Sequence, residues 1–247
     1  MYHKIPYFLS IFLFFIAYSI TVNVSHAQDM CDANNRTCII EELLNSTQDI
    51  ENKAWRDQTY REIAKTKAFE GDFENAVLII DQIQTPDTKA MTIRGIGMAI
   101  AAQDHTQDDL HQMFSRLRTE ADTISHPPSY AIALTYISMS QAFAGDNEGA
   151  WKTAADMENS ALRNKAYGET AEIQAEKGDF TAAKTSIEKI DSLSFRNKAY
   201  SITSGIFADS QMYAAAYKAA HEITNSYKKA QSLQYMLDQQ KPRDTKH

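Results

Sequence analysis

The sequence predicts an all-α fold of about five tandem helix-turn-helix repeats, 33–37 residues each, with a helical cap at either end. Three observations predict it. Gly71-Asp72, Gly145-Asp146 and Gly178-Asp179 each divide two stretches of helical apolar spacing, and Gly145 stands 33 residues before Gly178. The pentapeptide Arg-Asn-Lys-Ala-Tyr occurs at 163–167 and again at 196–200, also 33 apart. Small residues recur at fixed offsets from the Gly, or from Gln211 in a copy that has lost it. Seven before it stand Ala64, Ser138, Ala171 and Ser204; three before it Ala68, Ala142, Ala175 and Ala208; five after it Ala76, Ala150, Ala183 and Ala216.

Helix packing explains this pattern. Small residues four apart share one helix face, and their missing side chains let a second helix approach closely. Larger residues fill the remaining space. These are Tyr60, Leu134, Tyr167 and Tyr200 before the junction, and Ile80, Ile83, Met157, Ile187, Ile190 and Ile223 after it. The junction Gly supplies the left-handed residue that ends a helix. Asp72, Asp146 and Asp179 stand where the next helix needs an N-cap acceptor. Phe73, Phe180 and Tyr213 follow and plug the turn. Lys53-Ala54-Trp55 and Lys89-Ala90-Met91 read as weaker echoes of the pentapeptide.

Along the chain, residues 1–27 read as a signal peptide. Lys4 is the positive start, 5–24 carry no charge, and Ser25 and Ala27 occupy the small-residue positions for cleavage after Ala27. The competing reading is an uncleaved membrane anchor, because the apolar run is nearly long enough to span. Cys31 follows Gln-Asp-Met and lacks the context of a lipid-attachment cysteine. Cys31 and Cys38 are the two cysteines, and in an oxidising compartment so close a pair reads as one disulfide that staples segment 28–53, a capping helix included. Asn35-Arg-Thr and Asn45-Ser-Thr match a glycosylation pattern that matters only in a eukaryotic source.

The repeat array is expected over 54–224. Residues 87–126 fit it worst. They lack Gly-Asp and carry Gly95 and Gly97 within the first helix. Thr106 and Asp109 form a plausible capping box for a second helix bearing Leu110, Met113, Phe114 and Leu117. His126-Pro127-Pro128 then starts the next unit. Residues 225–240 read as the C-terminal cap, with Tyr227, Leu233, Met236 and Leu237 toward the array, and 241–247 as a frayed tail.

The formal charge of −7 becomes −8 once the signal and its single Lys are removed. That acidity argues against nucleic acid and against anionic membrane surfaces as partners. The sequence carries no phosphate loop, no nucleophile elbow and no His pair at helical metal-site spacing. His105 and His111 read as exposed residues flanking an irregular turn. No catalytic residue, metal or cofactor is expected.

These residues resemble the tetratricopeptide repeat, most closely at Gly71-Asp72-Phe73 with Ala76 and at Gly178-Asp179-Phe180 with Ala183. The resemblance covers about 54–224. The family's Trp and Gly of the first helix are replaced here by Tyr and by Ala or Ser, and its closing Pro is mostly absent. The resemblance implies a right-handed α-solenoid whose first helices line a concave groove for a peptide or protein partner. The implied groove residues are Arg61, Lys65 and Phe69; Thr135, Met139 and Phe143; Glu172 and Glu176; then Ser201, Gly205 and Asp209. The expected protein is a periplasmic or secreted scaffold or adaptor. A helical accessory domain or enzyme of the cell envelope is the alternative, and an open end of such an array also allows a homodimer.

Overall fold

Residues 31–240 are described by a computed structural model. The expected signal segment 1–27, its cleavage point and the expected tail 241–247 lie outside them. Twelve α-helices and no strand occur among the described residues: α1 (Arg36–Gln48), α2 (Lys53–Phe69), α3 (Phe73–Ile80), α4 (Pro86–Ala101), α5 (Gln107–Asp122), α6 (Pro127–Ala144), α7 (Asn147–Ala155), α8 (Ser160–Glu176), α9 (Phe180–Glu188), α10 (Leu193–Asp209), α11 (Tyr213–His221) and α12 (Ser226–Gln239).

Long helices pack in series, α2 on α4, α4 on α6, α6 on α8, α8 on α10 and α10 on α12. The shorter α3, α7, α9 and α11 each pack on the long helix before them. The junctions show why. Gly71, Gly145 and Gly178 have φ of 83°, 90° and 80°, and Gln211 takes the same left-handed conformation at 61°. At each, two backbone N–H groups turn back on the helix just ended. Asp146 donates to Gln141 and Gly145 to Ala142 at 2.8 and 3.1 Å; Met212 donates to Phe207 and Gln211 to Ala208 at 2.8 and 3.0 Å. This double closure satisfies carbonyls that a helix end leaves free.

All twelve small residues counted from the junctions are buried, none more than 3% exposed. The N-caps of the long helices, Asn52, Thr85, His126, Asn159, Ser192 and Asn225, recur at steps of 33 residues, except 41 between Thr85 and His126. The expected range of 33–37 residues per unit therefore gives way to a constant step of 33 with a single step of 41. The surplus sits in one place, because α5 has 16 residues where α3, α7, α9 and α11 have 8 or 9. In this register Gly97 takes the place of Ala64 and Ser138, and a Cβ there would lie 2.7 Å from Ser140 Oγ. Gly97 thus belongs to the small-residue pattern and brings α4 against α6.

Several local expectations are corrected. The counterpart of Arg163–Tyr167 in α2 is Arg56-Asp57-Gln58-Thr59-Tyr60, and the Lys53 and Lys89 echoes are out of register. What the shared position does is structural. Asn164 Oδ1 accepts from the Asp191 backbone N–H at 3.1 Å, Asn197 Oδ1 from Thr224 at 2.9 Å, and Asp57 Oδ2 from Thr85 at 2.7 Å. Each of these side chains pins the loop leading into the next long helix. Asp146 and Asp179 cap α7 and α9 through Gly149 and Ala182, but Asp72 makes no cap bond and instead binds Lys67 and Asn75. At the two ends of the described residues, α1 packs on α2, and α12 on α10 and α11. Met236 is buried and Leu233 half-buried beneath α12, whereas Tyr227 at 72% and Leu237 at 53% exposure point away. Cys31 and Cys38 are at bonding distance, with Cα atoms 5.7 Å apart.

Candidate functional site

The long helices present a second face, away from their short partners, and it holds most of the expected groove residues. Lys65, Met98, Met139, Glu172 and Gly205 each stand 13 residues past the N-cap of their helix, and so form one row across α2, α4, α6, α8 and α10. All five are half-buried. Phe69, 54% exposed, Phe143, Glu176 and Asp209 lie one turn further along.

The N-terminal part of this face is basic and apolar. Arg61 and Lys65 both engage Glu62, at 2.6 and 3.0 Å, and the Arg61 bond is the chief reason the Glu62 carboxyl titrates below its usual range. Arg61, Lys65 and Phe69 line a cleft of about 250 Å3 with Met91, Arg94, Gly95 and Met98. The stem of Lys65 lies across Gly95, where a Cβ would meet it at 2.6 Å. Arg94 is stacked on Tyr136, its Cζ 4.7 Å from the ring centre. Met91, Arg94 and Met98 were missed in the sequence because the second unit lacks the Gly-Asp marker; the step of 33 from Asn52 to Thr85 was the signal that would have found them.

Thr135 is corrected: it is 6% exposed and its hydroxyl donates to the Ala131 carbonyl at 2.9 Å, so it faces the core. Phe143 is covered in part by Lys177, whose Nζ lies 5.5 Å from its ring centre. Further along, the face turns acidic. Burial raises the Glu172 carboxyl above its usual range, and Glu169 and Glu176 add to this while Lys198 opposes it. Ser201 and Asp209 are engaged by the last helix: Ser201 Oγ lies 3.0 Å from Ser232 Oγ, and the Tyr235 hydroxyl donates to Asp209 at 2.6 Å. With Gly205 they line a cleft of about 490 Å3 that α12 walls on one side.

A second region was not expected as a site. The long α5 is flanked by two clefts, about 630 Å3 toward α3 and about 660 Å3 toward α7. His111 lies within α5, not in a turn, and its Nε2 is 3.5 Å from Asp146 Oδ1. Asp146, 4% exposed, is held by Gly149 N–H at 2.9 Å and Gln141 Nε2 at 3.2 Å. Arg118 pairs with Asp156 at 3.0 Å, while its Nε is buried with no hydrogen-bond partner among the described residues. At 3.5 Å the His111 and Asp146 side chains are within ion-pair reach but make no hydrogen bond with each other. Among the described residues no three His, Cys, Asp or Glu side chains converge as a metal site, and no helix is long and apolar enough to cross a membrane.

No protein-family model, curated protein or solved structure matches the chain. The likeness to tetratricopeptide repeats therefore rests on the junction and small-residue pattern alone.

Proposed function

We propose that the chain is an exported binding scaffold, a right-handed, tetratricopeptide-like solenoid of five helix pairs that holds a segment of a protein partner on its first-helix face and catalyses nothing. The observation that carries this reading is the row of half-exposed apolar side chains on that face. Exposed apolar residues are ordinary when scattered, but a contiguous set over adjacent elements marks an interaction surface. Here Phe69, Met91, Met98, Met139 and Phe143 span α2, α4 and α6, and Met is a side chain suited to adaptable binding surfaces. The paired Cys31 and Cys38 support an oxidising compartment outside the cytoplasm, as does the apolar run after Lys4. The acidic net charge argues for a protein partner over nucleic acid.

The test is co-purification of the tagged protein from its host, followed by binding of each purified companion to wild type and to Met98→Glu with Met139→Glu. A companion that binds wild type and is lost by the folded variant supports the scaffold. Companions held equally by both would remove the first-helix face from consideration. One observation favours the second reading, an envelope enzyme or accessory domain: the His111–Asp146 pair in the 660 Å3 cleft. Turnover abolished by His111→Ala, with partner binding intact, would establish that reading instead.

A further inference from the structure

The first-helix face is graded in charge, and the grading names its occupant more closely. This step rests on the scaffold reading above. In the row that crosses the long helices, Lys65 on α2 is followed by Met98 on α4, Met139 on α6 and Glu172 on α8. Arg94, one turn from Met98, is exposed and carries no ion pair among the described residues; its guanidinium rests on the Tyr136 ring alone. Lys65 is half-buried and tied to Glu62 by an ion pair of the exposed kind that contributes little. At the other end Glu172 likewise makes no ion pair among the described residues. Beside it Gly168 leaves a notch, where a Cβ would meet nothing within 4 Å; Lys165, paired with Glu169, and Lys198 line the same hollow. A cation seated in that notch would relieve a carboxylate whose burial and acidic neighbours disfavour its charge.

We infer that the face takes an extended peptide with an acidic end, an apolar middle and a basic end, laid across the helices with its acidic end over Lys65 and Arg94, its apolar middle over Met98 and Met139, and its basic end over Glu172. The span fits a short segment. Neighbouring packed helices stand about 8–10 Å apart, so three steps from α2 to α8 cover about 24–30 Å. An extended chain covers that with about 8 residues at roughly 3.3 Å each. Lys65 and Arg94 at one end and Glu172 at the other set orientation across the apolar row, since the wrong end meets like charge at both places. The direction of the peptide chain is left free, because side chains and not backbone are recognised.

The test uses three fluorescein-labelled synthetic peptides with one shared Leu- and Phe-rich middle. One carries Glu at one end and Lys at the other, one carries Glu at both ends, and one carries Lys at both. The graded peptide is expected to bind residues 28–247 about tenfold more tightly than either uniform peptide, a factor that corresponds to about 1.4 kcal/mol. Glu172→Lys should invert the preference between graded and all-Glu peptides, and Glu172→Gln, which preserves shape, should level them. A photo-cross-linker on the Glu end should label α2 or α4, and one on the Lys end α8. Equal binding of all three peptides, or cross-links from either end to both places, overturns the graded orientation while leaving a peptide-binding face. Absence of binding by every peptide also overturns it, and the co-purification with Met98→Glu and Met139→Glu then decides separately whether the face binds protein at all.

Discussion

Gln211 is the one non-glycine residue with positive φ among the described residues, and it sits where three other junctions have Gly. Replacing it with Gly isolates a single physical cost. The side chain is exposed, so no burial is lost. The closing bonds from Met212 to Phe207 and from Gln211 to Ala208 are backbone bonds and survive the change. An L-residue with a Cβ pays about 1–2 kcal/mol in the left-handed region. Gly returns about 0.5–1 kcal/mol of that as greater freedom of the unfolded chain. The net expectation is a gain of about 0.5–1 kcal/mol, or a melting temperature higher by roughly 1–4 °C for a domain of this size. Gly145→Ala is the mirror experiment, because a Cβ there meets no atom within 4 Å and the cost is purely conformational. It should lose about the same amount. The assay is urea and thermal unfolding by far-UV circular dichroism, with hydrogen exchange over α10 and α11 to locate the change, since helical arrays can unfold in parts. If Gln211→Gly is neutral or destabilising while Gly145→Ala is costly, the left-handed junction is not what limits this unit, and the reasoning fails.

Three further outcomes are expected. Gly97→Ala drives a methyl group to within 2.7 Å of Ser140 Oγ and should cost about 1–3 kcal/mol in urea unfolding; Ser140→Ala removes a buried hydroxyl that has no partner, and should be stabilising alone and restore part of the loss in the double variant. Asn197→Ala removes the acceptor of the Thr224 N–H and strands a partly buried donor, for a loss of about 1–3 kcal/mol, with faster amide exchange concentrated at 222–226. Burial raises the pKa of Glu172 in the folded chain above its ordinary value, so the burial penalty is fully present above the folded pKa and fades as pH falls toward the unfolded one. Stability of wild type relative to Glu172→Gln should therefore improve on acidification from neutral pH into the carboxylate range, and a pH-independent difference in melting temperature would contradict this.

How much of this was legible in the chain differs by element. The junctions were legible because a helix end needs a left-handed residue, and Gly71, Gly145 and Gly178 advertise it locally. The buried small residues were legible because close helix approach imposes size at a fixed distance from that junction, and every one of them is buried. The unit without the marker was misread for the same reason. With no Gly-Asp pair at its turn, the doubled length of α5 displaced the count, and with it Met91, Arg94 and Met98 dropped out of the expected face. Thr135 was misplaced for a different reason. Helical period alone defines an angle around the helix, and whether that angle is open depends on how closely the neighbouring helices stand.

By itself, then, the sequence determined the helices, the turns that join them and the residues that pack them, since each is governed by contacts within one unit of about 33 residues. Only the tertiary structure decided which parts of the first-helix face stay open. Ser201 and Asp209 are occupied because α12 folds back and places Ser232 and Tyr235 over them. Arg94 is left without a carboxylate although Arg61 and Lys65 share Glu62, and His111 meets Asp146 only because α5 and α7 pack as neighbours of α6. Those outcomes join residues from different units, and no local pattern encodes a distance between them.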